Sequence, residues 1–398
     1  MQRTLGLGAA AIAVATLTGA CGGSSSGGGT NASGGGTDTI TWGLIAPFSG
    51  SAAAYGPPEK AADVAAIDYI NSNGGIKVGG KTYKLKLKVY DSAYDPTTAV
   101  TVTRKAVQED GVKFLEVDGG GIVPAVQPIT EPANAMIFAI AGGDAYLGEK
   151  HELTFRPYYD IPGASKAILT QFKNTLSTSA SPKVSIVEPD DDLGHALADK
   201  QKTAAEGVGF TATVTFLGRQ SSDYAPVATK VLGQNPDVID FGPTPGDQYG
   251  AFIKAAQQLG YKGYYSFPDT LASSTVEKFV PLKSIAGSLT APAWSSFPGT
   301  AGEYFSASVK KQTGDVQAWT AQAFDNLLLF KAALEKAGSL DPHKVATALG
   351  EVSVEGALGK VSYGGAETYG IPRIFQIPYP VDKVSASGSL VHVSDGSA

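Results

Sequence analysis

"GIKVGGKT", residues 75–82, matches the phosphate-loop pattern G-x-x-x-x-G-K-[ST], with Gly75, Gly80, Lys81 and Thr82 in the required places. Its surroundings decide the fold. A phosphate loop leaves a strand and enters a helix, whose first N–H groups cradle the phosphates. Upstream, "PPEKAADVAAIDYINSN" (57–73) carries Val64, Ile67 and Ile70 at helical spacing, with Pro57 and Pro58 suited to a first turn and Gly74 and Gly75 to a C-cap. Downstream, "YKLKLKVY" (83–90) alternates apolar and polar residues, as a strand with one buried face does. The glycine segment therefore leads from helix to strand, the reverse of what phosphate binding needs.

The same alternation continues outward. "TITWGLIAPFSG" (39–50) reads as a strand and its loop, and "VYDSAYDPTTAV" (89–100) as a strand end followed by Asp95 as N-cap and Pro96 at the first helical position. "VKFLEVDGGG" (112–121) and "AMIFAIAGGDAY" (135–146) are apolar strands running into glycines. A second series starts near residue 160 with "KVSIVEPDDDLGHALADKQKTAAEG" (183–207), "FTATVTFLG" (210–218), "PDVIDFGPTPGDQYGAFIKAAQQLG" (236–260) and "KGYYSFPDTL" (262–271). Strands alternating with helices predict parallel sheets with helices on both faces. Some 350 residues exceed one comfortable core, so two Rossmann-like lobes are expected, although no repeat links them residue by residue. Beyond residue 290, helices are expected at 303–314, 320–338 and 341–352, strands at 359–365 and 373–380, and a frayed Ser/Gly-rich tail over 386–398.

The chain opens "MQRTLGLGAAAIAVATLTGAC", with Arg3, an apolar run to Ala20, and then Cys21. The run is too short to span a bilayer and suits a secretory signal. Cys21 is the single cysteine of 398 residues, which excludes an internal disulfide and a thiolate metal cluster. Its place after "TGA" resembles the lipobox of bacterial lipoproteins, in which the cysteine is acylated and becomes the mature N-terminus, although Thr18 stands where Leu is commoner. Residues 22–38 are mostly Gly and Ser and read as a tether with a reach of about 20–25 Å. "GSSSG" (23–27) matches a hydrolase nucleophile elbow, but a tether supplies neither the strand nor the helix that motif requires. A net charge of −6 without a basic stripe gives no support to nucleic-acid binding.

In doubly wound sheets ligands bind outside the carboxyl ends of the strands. That selects the loops 46–56, 91–95, 118–123, 141–146, 189–194, 242–249 and 268–271. "PDDDL" (189–193) lacks the alternating acids and distal Glu of a calcium loop, and His195 has no companion at triad or metal spacing. Asp118, Asp144 and Asp269 are the carboxylates a hydrolase would use.

Taken as a set, "GLIAPFSGSAAAYG", "AAIDYINSNGGIKVGGK", "VYDSAYDPTTAV", "DVIDFGPTPGDQYG" and "AAQQLGYKGYYSFPD", behind a lipoprotein leader, resemble the leucine/isoleucine/valine-binding family of ABC-importer substrate-binding proteins, over about 39–380. The resemblance implies a type I periplasmic-binding fold: 39–157 plus 292–360 as lobe one, 158–291 plus 361–385 as lobe two, and hinge crossings near 156–160, 288–293 and 358–363. It implies a lipid-anchored, monomeric, extracytoplasmic receptor that closes on a small polar solute, a branched-chain or other amino acid or an amino-acid-like compound, and delivers it to membrane permease subunits, without catalysis or cofactor. The other readings are the same fold binding an amide, urea, polyol or aromatic compound, or an extracytoplasmic sensory binding module.

Site roles carried over by resemblance put Ser49 and Tyr55 in the first ligand loop, with Tyr55 packing on the solute. Gly119, Gly120 and Gly121, with Gly142, Gly143 and Asp144, match the loops that hold an α-carboxylate, and Asp269 matches the acid that pairs with the α-ammonium. Leu193 and Thr244 stand where some members place Tyr. Gly121 replaces a usual Ser and Asp144 a usual Thr. An acid facing a ligand carboxylate would cost several kcal/mol in a water-poor cleft, so Asp144 is expected either to turn away or to meet an end that is not anionic, as in amides, ureas, polyols or cations.

Overall fold

Residues 75–82 form a β-hairpin. After the helix Gly56–Ser72, strand β2 (Ile76–Val78) turns through Gly79 and Gly80 into β3 (Lys81–Asp91), with Val78 opposite Lys81. Both turn residues have positive φ, 57° and 81°, as a two-residue hairpin turn of this hand demands and glycine permits. The expected helix-to-strand connection thus carries a short additional strand. The computed structural model describes residues 38–50, 52–176, 181–218, 221–269, 271–292, 299–314 and 316–395. The signal segment, Cys21 and the tether up to residue 37 lie outside them.

The described residues fall in one unit that holds two large sheets. In the first, β3 pairs in parallel with β1 (Asp38–Ala46), and β4 (Phe114–Asp118), β5 (Met136–Ile140) and β6 (Thr154–Phe155) continue it in parallel. The central strands β4 and β5 are buried along almost their whole length, as strands covered on both faces are, whereas β3 keeps the alternation of a half-buried strand. Trp42 at the centre of β1 is fully buried, its ring 5.0 Å from Phe138 and 5.2 Å from Phe330.

The second sheet contains β7 (Lys183–Pro189), β8 (Thr211–Leu217), β9 (Val238–Phe241), β10 (Tyr264–Phe267) and β11 (Leu289–Thr290), all parallel, in the order β11-β10-β9-β7-β8. A third, antiparallel sheet comprises β12 (Ser353–Gly356), β13 (Gly359–Gly364) and β14 (Ile374–Gln376). It lies against the first sheet, through a bridge between Arg156 and Ile374 and the edge-on contact of Phe155 with Tyr363 at 4.9 Å.

The chain passes from the first sheet to the second after β6. It returns after β11, where the helices Gly299–Thr313 and Ala321–Ala337 pack on the helix Gly56–Ser72. It enters the second sheet again only between Gln376 and β15 (Val381–Val384), which pairs antiparallel with β11. Residues 361–376, expected with lobe two, therefore sit beside the first sheet, and the last passage is displaced from 358–363. The reason is local: Gly356 and Gly359 close a tight hairpin that holds β13 to β12 before the chain can leave. The tail also departs from the fraying expected over 386–398, since β16 (Leu390–Ser394) pairs with β15.

Candidate functional site

The strands of both sheets end in the loops selected above, and Tyr55, Tyr94, Asp118 and Asp269, from four of those loops, act on Tyr158. On the first-sheet side, Asp91 at the end of β3 accepts the N–H groups of Phe48 (2.9 Å), Ser49 (3.3 Å) and Ala93 (2.9 Å). Burial pushes the Asp91 carboxyl up, but these donors and the Ser49 hydroxyl outweigh it and hold it below its ordinary range. Ser49 is thus engaged in shaping its own loop. Tyr55 follows at the start of the helix Gly56–Ser72, 41% exposed and edge-on to Trp319 at 6.0 Å. Tyr94, in the left-handed region at φ 56° and 45% exposed, stands beside Gly119.

Gly119 has φ 117°, and a Cβ there would meet Tyr94 at 3.1 Å and Ile122 at 3.0 Å. Gly120 and Gly121 border open space: a Cβ on either would meet nothing within 4 Å. Gly121 begins the helix Ile122–Thr130, whose N-terminus no side chain caps. The amides of Ile122 and Val123 already donate to Gly119 O (3.0 and 3.1 Å) and Pro124 has no N–H, so this end offers an anionic or carbonyl group the positive end of the helix dipole and the backbone of Gly120 and Gly121 beside open space.

Asp144 is turned to protein partners. One oxygen accepts from Arg156 Nη1 and the other from Lys200 Nζ. Burial works against its charge, yet Arg156 and Lys200 prevail, with a bond to Tyr369, and keep its carboxyl below its ordinary value. Arg156 is 3% exposed and also donates to the carbonyls of Gly142 (3.2 Å) and Gly143 (3.3 Å), so it gathers the whole loop. A Cβ on Gly142 would lie 2.6 Å from Leu193 Cδ1, which places Leu193 directly on that loop.

On the second-sheet side, Asp191 caps the helix Asp192–Gly207 by accepting from Gly194 N, as the strand-end reading of "PDDDL" expects. His195 does have companions: it contacts Asp190 Oδ1 at 2.8 Å and stacks on Phe216. Among the described residues no cluster of His, Cys, Asp or Glu could hold a metal ion. Thr244 is buried and its hydroxyl finds no partner among the described residues. Asp269 accepts from the Tyr159 hydroxyl, and Tyr159 stacks on Tyr158 at 5.1 Å. Burial first, and then the charges of Asp269, Tyr55, Asp118 and Tyr94, push the Tyr158 phenol well above its ordinary value, so it is a neutral donor between the two sides.

Behind Asp118 lie three more carboxyls, Glu59, Asp63 and Glu116, all fully buried. Burial raises each, and Asp118 itself is pushed up to about 7. The expected residues Tyr55, Gly119–Gly121 and Asp269 therefore converge with Tyr158. Gly142 and Gly143 pack with Arg156 and Leu193, and Asp144 is neutralised beside them. Sequence reasoning passed over Arg156, Tyr158, Tyr159, Lys200 and Trp319; the run "RPYYD" (156–160) between the two strand series was the available signal.

A periplasmic binding protein family model matches residues 39–370, and the chain belongs to that family. It is 28% identical over 336 residues to the Leu/Ile/Val-binding protein BraC3 of Rhizobium johnstonii, covering 82% of this chain and 87% of that one. To a leucine-, isoleucine-, valine-, threonine- and alanine-binding protein of Pseudomonas aeruginosa it is 25% identical, over 82% of this chain and 86% of that one. The fold matches the closed conformation of a similarly named Brucella ovis protein with TM-score 0.74 at 19% identity, covering 90% and 95% of the two chains. It also matches a Rhodopseudomonas palustris solute-binding protein in complex with 4-hydroxybenzoate, with TM-score 0.73 at 19% identity, covering 90% and 96%.

Proposed function

We propose that this periplasmic binding protein is the solute receptor of an ABC importer, anchored outside the cytoplasm through an acylated Cys21 and closing two lobes on an amino acid or amino-acid-like solute. The observation that carries the ligand class is the neutralisation of Asp144. With Arg156 and Lys200 on its two oxygens, it no longer opposes an anionic group at the Gly119–Gly121 loop. Asp269, whose charge acts on Tyr158 and which accepts from Tyr159, is the acid that would receive an ammonium group. Closure needs no catalytic residue: each lobe offers half of the contacts, and a bound solute shifts the population toward the closed form. The names of the curated relatives agree with this class.

A second reading is an aromatic acid, favoured by the rings of Tyr55, Tyr94, Tyr158 and Trp319 around the site and consistent with the 4-hydroxybenzoate neighbour. A thermal-shift screen of residues 38–398 separates the two. Leucine, isoleucine, valine, alanine and threonine are tested beside hydroxybenzoates, amides, ureas and polyols. A ligand at one hundred times its Kd adds about 2.7 kcal/mol, a rise of several degrees. Stabilisation by amides, ureas or polyols alone would overturn both readings. Labelled palmitate incorporated by the full chain and lost in Cys21→Ala tests the anchor.

A further inference from the structure

Asp144 follows β5 of the first sheet, whereas Lys200 stands on the helix Asp192–Gly207, which packs on β7 and β8 of the second. Their bond therefore spans the two sheet systems. The two oxygens of Asp144 are held differently. Arg156, 3% exposed, sits directly after β6 on the same side as Asp144 and also binds the carbonyls of Gly142 and Gly143. Lys200, 44% exposed, reaches the other oxygen from across. Beside this bond the two sides meet again without polar groups, where Leu193 lies over the bare Cα of Gly142 and Leu197 approaches to 3.8 Å of where a Cβ would be.

We propose that Lys200 is a closure latch: Arg156 fixes Asp144 permanently on the first lobe, and Lys200 engages it only when the lobes meet. This rests on the two-lobe receptor reading and adds to it a contact, independent of the solute, that holds the closed form. Breaking the Arg156 bond would strand a buried guanidinium, so opening leaves it intact. Releasing Lys200 exposes one ammonium to water, which costs little. Because the releasable pair is partly solvated, salt screens it, and the balance of open and closed forms responds to ionic strength. A pair of this exposure shifts that balance by about 1.5- to 5-fold. Gly142 belongs to the same device, because a side chain there would hold Leu193 off before Lys200 could reach.

The test uses residues 38–398 as wild type, Lys200→Gln, Lys200→Arg and Asp144→Asn. Small-angle X-ray scattering without solute at 20 and 500 mM NaCl reads closure directly. The radius of gyration of the wild type is expected to rise with salt, that of Lys200→Gln to stay at the high-salt value throughout, and Lys200→Arg to restore the salt response. Asp144→Asn also deprives Arg156 and is expected to lower Tm, whereas Lys200→Gln leaves Tm near the wild type, which separates a latch from a structural role. The same radius for wild type and Lys200→Gln at both salts overturns the latch. Calorimetric titration with leucine forms a second arm, in which wild-type affinity falls about 1.5- to 5-fold with salt and that of Lys200→Gln does not. Wild type that fails to bind leucine at either salt counts against the amino-acid reading alone, because the scattering arm needs no solute.

Discussion

Four carboxyls buried beside one another make the most demanding claim on this fold, and pH is the perturbation that exposes it. Glu59 and Asp63 lie one turn apart on the helix Gly56–Ser72, and Glu116 and Asp118 two residues apart on β4. Both oxygens of Glu59 and of Glu116, with one each of Asp63 and Asp118, are buried without a partner among the described residues, and Trp42 donates to the other oxygen of Asp63 at 3.2 Å. Four such charges could not coexist there, so the folded chain must hold protons that the unfolded chain gives up. Burial raises Asp118 from 3.8 to about 7. Its contribution is fully present below the unfolded value and is lost as pH rises through about 7, because over that window the native state binds the extra proton. One proton corresponds to about 1.4 kcal/mol per pH unit, or roughly 4 kcal/mol across the window. With an unfolding entropy of about 2.1 cal/mol/K per residue over some 350 residues, that is a fall of about 6 °C in Tm. Asp240 and Asp325, also raised to about 7 by burial, tilt the wild-type curve the same way, so the informative quantity is a difference. Scanning calorimetry between pH 5 and 7 at constant ionic strength should give Asp118→Asn a slope shallower than wild type by about 2 °C per unit. Glu116→Gln should match wild type at pH 5 and exceed it at pH 8. Parallel curves for Asp118→Asn and wild type would refute the protonated cluster and leave the orphaned oxygens to be satisfied in some other way.

Other perturbations act on single contacts. Gly56→Ala puts a Cβ 2.2 Å from the Pro47 carbonyl, so the loop carrying Tyr55 must shift; a loss of about 1–3 kcal/mol in urea melts and an altered Tyr55–Trp319 signal in near-ultraviolet circular dichroism are expected. Asp325→Ala leaves the amides of Ala357 and Leu358, now 2.6 and 2.8 Å from its oxygens, unsatisfied in the core, a cost of about 1–3 kcal/mol each that the same melts measure. Asp269→Asn keeps the shape beside Tyr159 and removes the charge; titration with leucine should show affinity reduced about 10- to 100-fold with Tm little changed.

The strand and helix order was legible because period-two and period-3.6 patterns survive in stretches such as 57–73 and 83–90. The last passage between sheets was not. "RIFQIPYP" (373–380) reads as one strand, but Pro378 and Pro380 cannot donate to a ladder, so pairing with β13 stops at Gln376 and a new strand begins at Val381. In the tail, Ser and Gly at 385–389 form the turn of a hairpin, with Ser389 N donating to Ser385 Oγ, and composition alone concealed the strand after it.

The site divides along the same line. Tyr55, Gly119–Gly121 and Asp269 were legible because each lies in a loop that follows a strand, and strand ends are what alternation reveals. Asp144 looks in the sequence like an acid that repels a carboxylate, a conclusion that holds only while it has no partner. Its partners lie 12 and 56 residues away, on the passage after β6 and on a helix over the other sheet, and no period connects them. The net charge of a two-lobed cleft is therefore a sum over loops and passages together. Here the passage supplies Arg156, and the opposite lobe supplies Lys200. An acid that by itself would oppose a ligand carboxylate has its charge met by Arg156 and Lys200, so its presence in the loop no longer counts against one.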